Sequence, residues 1–148
     1  MKWLSETYDV KIENISNRIF VADSRFLSRC MHEKIDGIAT EPMLLPPLKR
    51  FPSEEEADDM LQRARTTYAE SLPEMTNVLK KGGRLVLVVP FIRTAQYSEL
   101  SFSLEDVFKK LGLALYLPRN YPQLEYPLRS SSDKDQKVLR GVYVLEKL

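Results

Sequence analysis

Apolar and polar positions alternate along the chain in two kinds of block, short apolar runs and longer amphipathic stretches. Residues 19–22 (IFVA) form a short apolar run that stops at Asp23, and residues 35–40 (IDGIAT) form a second that stops at Glu41-Pro42. Both read as strands, and the proline ends the second ladder. Pro46, Pro47 and Pro52 make the next segment a stiff, non-helical loop. At Ser53 the pattern changes. A serine is followed by Glu54, Glu55 and Glu56, and apolar residues then recur at Ala57, Met60, Leu61, Ala64, Tyr68, Leu72, Met75, Val78 and Leu79. That spacing predicts an amphipathic helix opened by a capping box. Pro73 predicts a kink or a restart, Lys80-Lys81 suit the last turn, and Gly82-Gly83 suit its end. Residues 84–92 (RLVLVVPFI) predict a strand covered on both faces. A short helix starts at Ser103, runs over residues 104–111 and stops at Gly112; residues 113–117 and 138–145 read as two more strands. The link between those two carries no helical pattern, which suits an antiparallel pair.

The predicted order is strand, strand, helix, strand, helix, strand, strand. Such alternation implies an α/β sheet with helices on both faces. Ligands in these sheets bind beyond the carboxyl ends of the strands, here near Asp23, Glu41-Pro42 and Pro90-Phe91.

Composition narrows the classes further. The chain has 148 residues, enough for one core, and its 43% hydrophobic and 29% charged content is that of a globular protein. The formal net charge of +1 gives no whole-chain electrostatic case for nucleic acid, and it does not exclude one. Cys30 is the single cysteine, so no disulfide forms within the chain and a reducing, cytoplasmic location is expected. Cys30 itself reads as a small buried apolar residue, and His32, the single histidine, as a surface residue of a short helix. A structural zinc site needs about four such ligands, so no metal site is expected. The longest apolar run, residues 85–91, is far short of the ~20 residues that span a bilayer.

Three blocks read together resemble class I methyltransferases: Val21-Ala22-Asp23-Ser24-Arg25, Asp36-Gly37-Ile38-Ala39-Thr40-Glu41-Pro42, and Leu79-Lys80-Lys81-Gly82-Gly83-Arg84-Leu85-Val86-Leu87. More narrowly they are similar to the THUMP-associated tRNA guanosine N2-methyltransferases and their archaeal relatives. In that family a strand ends in a D-A/S-R block, the next ends in D-P-P-Y or E-P-Y, and a helix ending in K-x-G-G-R leads into an apolar strand. The resemblance covers about residues 19–93. It implies the C-terminal part of a Rossmann-like methyltransferase sheet, with helices on both faces and a terminal antiparallel strand pair. The organisation it implies is a single partial domain over residues 1–148, with an N-terminal helix over 1–14 and the α/β core over 15–148.

The resemblance also implies an activity, S-adenosylmethionine-dependent N2-methylation of a guanosine in tRNA, of the G10 type. Asp23, with Ser24 beside it, would bind the adenine end of S-adenosylmethionine. Glu41 would be the catalytic carboxylate; together with the Pro42 carbonyl it would accept hydrogen bonds from the exocyclic amine, and Met43 would cover the base. On the residues alone, Asp23 reads first as the cap of the following turn, and Glu41-Pro42 reads as well as a strand terminator.

The sequence departs from the family pattern in two places. Met43 stands at the aromatic position and Leu45 where the glycine is usual. The family's glycine-rich loop and its first two strands have no counterpart, because Gly37, Gly82, Gly83, Gly112 and Gly141 lie in other settings. In the family's sheet those strands lie between the strands of Ile19 and Ile35. The expected partners are therefore tRNA and a complementary chain carrying the cofactor loop, with or without a THUMP domain, and no membrane. The alternative is a degenerate, non-catalytic methyltransferase-like module that binds a protein or RNA partner.

Overall fold

Helix α1 (Glu54–Val78) is the organising element, and its start follows from its first residues. Ser53 Oγ accepts from the Glu56 N–H at 3.2 Å while Glu56 Oε2 accepts from the Ser53 N–H at 2.9 Å, a reciprocal capping box. Arg50 grips the same Glu56 carboxylate through Nη1 at 2.8 Å and Nη2 at 2.6 Å. From there Ala57, Leu61, Ala64, Tyr68, Leu72 and Met75 recur every three or four residues and are buried as one stripe. Burying each large apolar member of that stripe contributes roughly 1.5–3 kcal/mol. The helix continues through Pro73.

The structure is a computed structural model that describes residues 20–129 and 134–148. Besides α1, the described elements are a 3-10 turn (Ser24–Arg29), β1 (Ile35–Thr40), β2 (Leu79–Arg93), β3 (Glu99–Leu100), α2 (Glu105–Lys110), β4 (Leu113–Leu115), β5 (Leu128–Arg129) and β6 (Val138–Lys147). Their strands form a single sheet with the central order β1-β2-β6-β4; β3 joins β2, and β5 joins β6. β1 runs parallel to β2, whereas β6 lies antiparallel between β2 and β4. The expected α/β class and the terminal antiparallel pair are both present.

The core lies on one side of this sheet. Leu85, Leu87 and Val89 alternate along β2 and are buried with Leu145 of β6. The α1 stripe covers them, joined by Leu104 at the start of α2 and by Phe108 within it. Phe108 meets Tyr143 of β6 edge-to-face at 5.6 Å, and Tyr143 pairs with Leu87, so both described helices cover the same face. The opposite face carries Val86, Val88, Val142 and Val144, which are only partly buried by the described residues. The helix expected over residues 1–14 and the start of the run at Ile19 lie outside the described residues.

Several expectations need correction. Residues 20–22 are not a strand: Phe20 is half exposed and Val21 fully exposed, and no described strand lies beside them to supply a ladder. Lys80 and Lys81 lie beyond the last turn, because Leu79 is already extended (φ −78, ψ 136) and pairs with Ile35. The register then jumps to Gly37 opposite Arg84, and the intervening loop turns at Gly82, whose φ of 74° suits glycine. Lys80 pairs with Asp36 across this irregularity at 2.7 Å. Cys30 is exposed rather than buried, and His32 is exposed but lies outside the 3-10 turn.

Candidate functional site

Because β1 and β2 are parallel, their carboxyl ends share one edge of the sheet, and antiparallel β6 begins at that same edge. Thr40, the last residue of β1, pairs with Leu87, and Glu41 follows directly. Pro90 of β2 pairs with Arg140 of β6. This register brings Arg140 to Glu41: its Nε donates to Oε1 at 3.0 Å and to Oε2 at 3.1 Å. The Glu41 side chain is mostly covered, at 21% exposure. A carboxylate has about four lone-pair positions, so a shared N–H leaves acceptor capacity on both oxygens. Pro42 carries a carbonyl and no N–H, so its backbone offers an acceptor only. Two adjacent acceptors of this kind suit an NH₂ donor.

Beneath this edge stands Tyr68, fully buried in the middle of α1. Its hydroxyl donates to the Val88 carbonyl at 2.7 Å, and its ring packs edge-to-face on Phe102 at 5.2 Å. Burial raises the Tyr68 phenol well above its ordinary range, and the Glu41 charge raises it further; the Met43 backbone hydrogen bond and Arg140 act in the opposite direction. Tyr68 therefore supports the Glu41-Pro42-Met43 segment from below and presents no ring to a ligand. The Met43 side chain packs on the core, with Sδ 3.6 Å from the Thr67 hydroxyl, whereas Leu44 is exposed.

Asp23 caps the 3-10 turn. Its carboxylate accepts from the Arg25 backbone at 2.9 Å and from Arg25 Nη2 at 2.7 Å, and the Arg25 side-chain hydrogen bond is the main reason its pKa is lowered to about 2. Ser24 Oγ lies 2.9 Å from Ser71 Oγ on α1, and Glu74 receives both the N–H and the hydroxyl of Ser28. Thr67, which touches Met43, and Ser71, which touches Ser24, are four residues apart on one helix face. One turn of helix, ~6 Å of rise, thus separates the anchors of the 23–24 and 41–43 segments. α1 brings both segments to the same side of the molecule.

No family model and no curated protein matches the chain. Solved structures do. Two crystal structures of a candidate DNA modification methylase from Thermus thermophilus superpose with a TM-score of 0.53 each, at 18% and 20% identity. Each match covers 86% of this chain and 52% of the methylase. The fold is methyltransferase-like. TrmN from Thermus thermophilus aligns with 87% of this chain and 28% of its own at 22% identity, with a TM-score of 0.41. The chain spans about half the length of the Thermus DNA modification methylase.

Two residues of the edge escaped the sequence reading. Tyr68 was legible only as a core position, although a hydroxyl within an apolar helix stripe needs a partner once it is buried. Arg140 interrupts the apolar run of β6, a signal that it faces an acidic group; which group it faces follows only from the register. Among the described residues no cluster of His, Cys, Asp or Glu could hold a metal, and no helix is long and apolar enough to cross a membrane.

Proposed function

We propose that this chain is the target-base part of an S-adenosylmethionine-dependent RNA methyltransferase that modifies the N2 amine of a guanosine in tRNA. The observation that carries the reading is the Glu41-Pro42 acceptor pair at the carboxyl end of β1, one helix turn from the 23–24 segment on the α1 face. In this reading Glu41 and the Pro42 carbonyl take the two N–H groups of the amine and keep its lone pair directed outward. Arg140 holds the carboxylate in place, and Met43 covers one side of the base without ring stacking. S-adenosylmethionine supplies an electrophilic methyl group.

The described residues fit that cofactor in part. Asp23 is an exposed carboxylate kept ionised by Arg25, suited to an amino group at the adenine end, with Ser24 beside it. The described glycines sit in strands and turns, and none opens a helix that could cradle the rest of the cofactor. A complementary glycine-rich unit, on another polypeptide or elsewhere in a longer one, would complete the site. A THUMP domain would supply the RNA grip, and the cytoplasm is where such a tRNA enzyme would work.

The test combines this chain with a candidate complementary unit, unmodified tRNA transcript and cofactor labelled in the methyl group. Label should enter guanosine N2 and be lost with Glu41→Gln, while calorimetry with the isolated chain should give weak cofactor binding. Label that persists in Glu41→Gln overturns the reading. A second reading, a non-catalytic module, is favoured by the Arg140 hold on both Glu41 oxygens and by Met43 at the base-covering position. Methyl transfer that disappears with Glu41→Ala rules it out.

A further inference from the structure

A cleft opens at the same edge of the sheet, beyond the end of β2. It measures about 300 Å³ and is lined by Phe51, Arg93, Thr94, Tyr97 and Lys134. Hydrogen bonds hold its three segments together. The Arg93 N–H donates to the Lys137 carbonyl at 2.8 Å, and the Ala95 N–H donates to the Pro52 carbonyl at 2.7 Å. Ser98 Oγ, 2.6 Å from Thr94 Oγ1, donates to Glu54 Oε1 at 2.7 Å. The tip between β2 and β3 is therefore tied to the loop before α1 and to the segment before β6.

Tyr97 sits at that tip in a conformation a tyrosine rarely adopts. Its φ is 62°, its N–H closes the turn onto the Thr94 carbonyl at 3.0 Å, and its side chain is 95% exposed. The turn needs only a residue that tolerates a left-handed backbone, which glycine or asparagine does without strain. The exposed ring adds almost no packing within the chain to offset that strain. Held, strained side chains of this kind cluster at binding sites.

The cations around the cleft complete the picture. Lys137 Nζ lies 5.1 Å from the centre of the Phe51 ring, and the Arg129 guanidinium lies 3.8 Å over Phe91. Glu99 pairs with both Arg93 and Arg129. Lys137 Nζ also donates to the Asp135 carbonyl at 3.3 Å, and the Asp135 carboxylate lies between Lys134 and Lys137 in sequence.

We propose that this cleft binds an unpaired nucleotide of a single-stranded nucleic acid, the base against Tyr97 and Phe51 and the phosphate on Lys134 and Lys137. Aromatic faces take any base, and lysines track the backbone without reading sequence. The site stands on its own geometry and does not need Glu41 to be catalytic.

Fluorescence anisotropy of the full chain with a labelled 12-nucleotide single strand, as RNA and as DNA, and with the matching duplex, tests it. Single strands should bind more tightly than duplex, and RNA against DNA tells which source is preferred. Tyr97→Gly relieves the turn, so it should raise the unfolding midpoint while weakening single-strand affinity about tenfold, in line with the loss of one stacked base. Replacing Lys134 and Lys137 together by glutamine should reduce the slope of log affinity against log salt by about 0.7, the value for one neutralised phosphate. A single strand without guanosine should bind as tightly as one that contains it, because any base can stack, which separates this site from the methyl-transfer reading. The proposal is overturned by equal affinity for duplex and single strand, by an unchanged affinity in Tyr97→Gly, or by no binding of any oligonucleotide, the result expected if the cleft receives a protein instead.

Discussion

A Cβ built on Gly141 lies 2.5 Å from Cε2 of Phe91 and 2.9 Å from the Pro127 ring. Both neighbours belong to packed segments, so Gly141→Ala forces the Phe91 ring and Pro127 apart. The expected cost is about 1–3 kcal/mol, the usual range for overpacking, read as a lower urea midpoint. The same change should loosen the Arg129 stack on Phe91, because that ring is what the guanidinium rests on. At this scale the chain's chemistry was partly legible. Glu41 and Pro42 stand out as a carboxylate and a proline closing an apolar run, and Asp23 is recognisable as a cap. Arg140 and Tyr68 were not legible as members of the same edge, since nothing near them in sequence records the distant groups they bond.

The elements follow their local signals most closely where those signals are energetic and short-range. The capping box of α1 was readable from Ser53 and Glu56, and the structure adds the Arg50 clamp. The Arg50 hydrogen bond lowers Glu56 from 4.5 to about 2. A folded-state pKa depressed in this way stabilises the fold above the unfolded value and is lost as pH falls through the folded one. The difference in urea midpoint between the wild type and Glu56→Gln should therefore be full above about 4.5 and close as pH approaches 2. Both partners are largely exposed, so the effect is modest and should shrink with added salt. β1 and the regular part of β2 were equally plain from their apolar runs. The run at residues 20–22 misled because an apolar segment becomes a strand only when a neighbour offers a ladder.

At the scale of the whole molecule, β1, like β4 at the far end, is an end strand of the sheet. It pairs with β2 on one side, and no described strand meets its other side; Asp36, Gly37 and Ala39 are exposed. Edges of this kind attract further strands. If a complementary unit completes the sheet, as the proposed function requires, the backbone amides of residues 36–40 should exchange hydrogen far more slowly in the complex than in the isolated chain. Unchanged exchange would count against completion at this edge. Periodicity and capping act among residues a few positions apart, so the helix and its cap, the apolar strands and the α/β class were already specified by the order of amino acids. Which of those pieces meet was a matter of packing. Arg140 reaches Glu41 across 99 positions, and α1 brings Ser24 and Met43 within one turn through Ser71 and Thr67. Such contacts depend on strand order and register, which are set by how the whole core packs and leave no local trace in the chain.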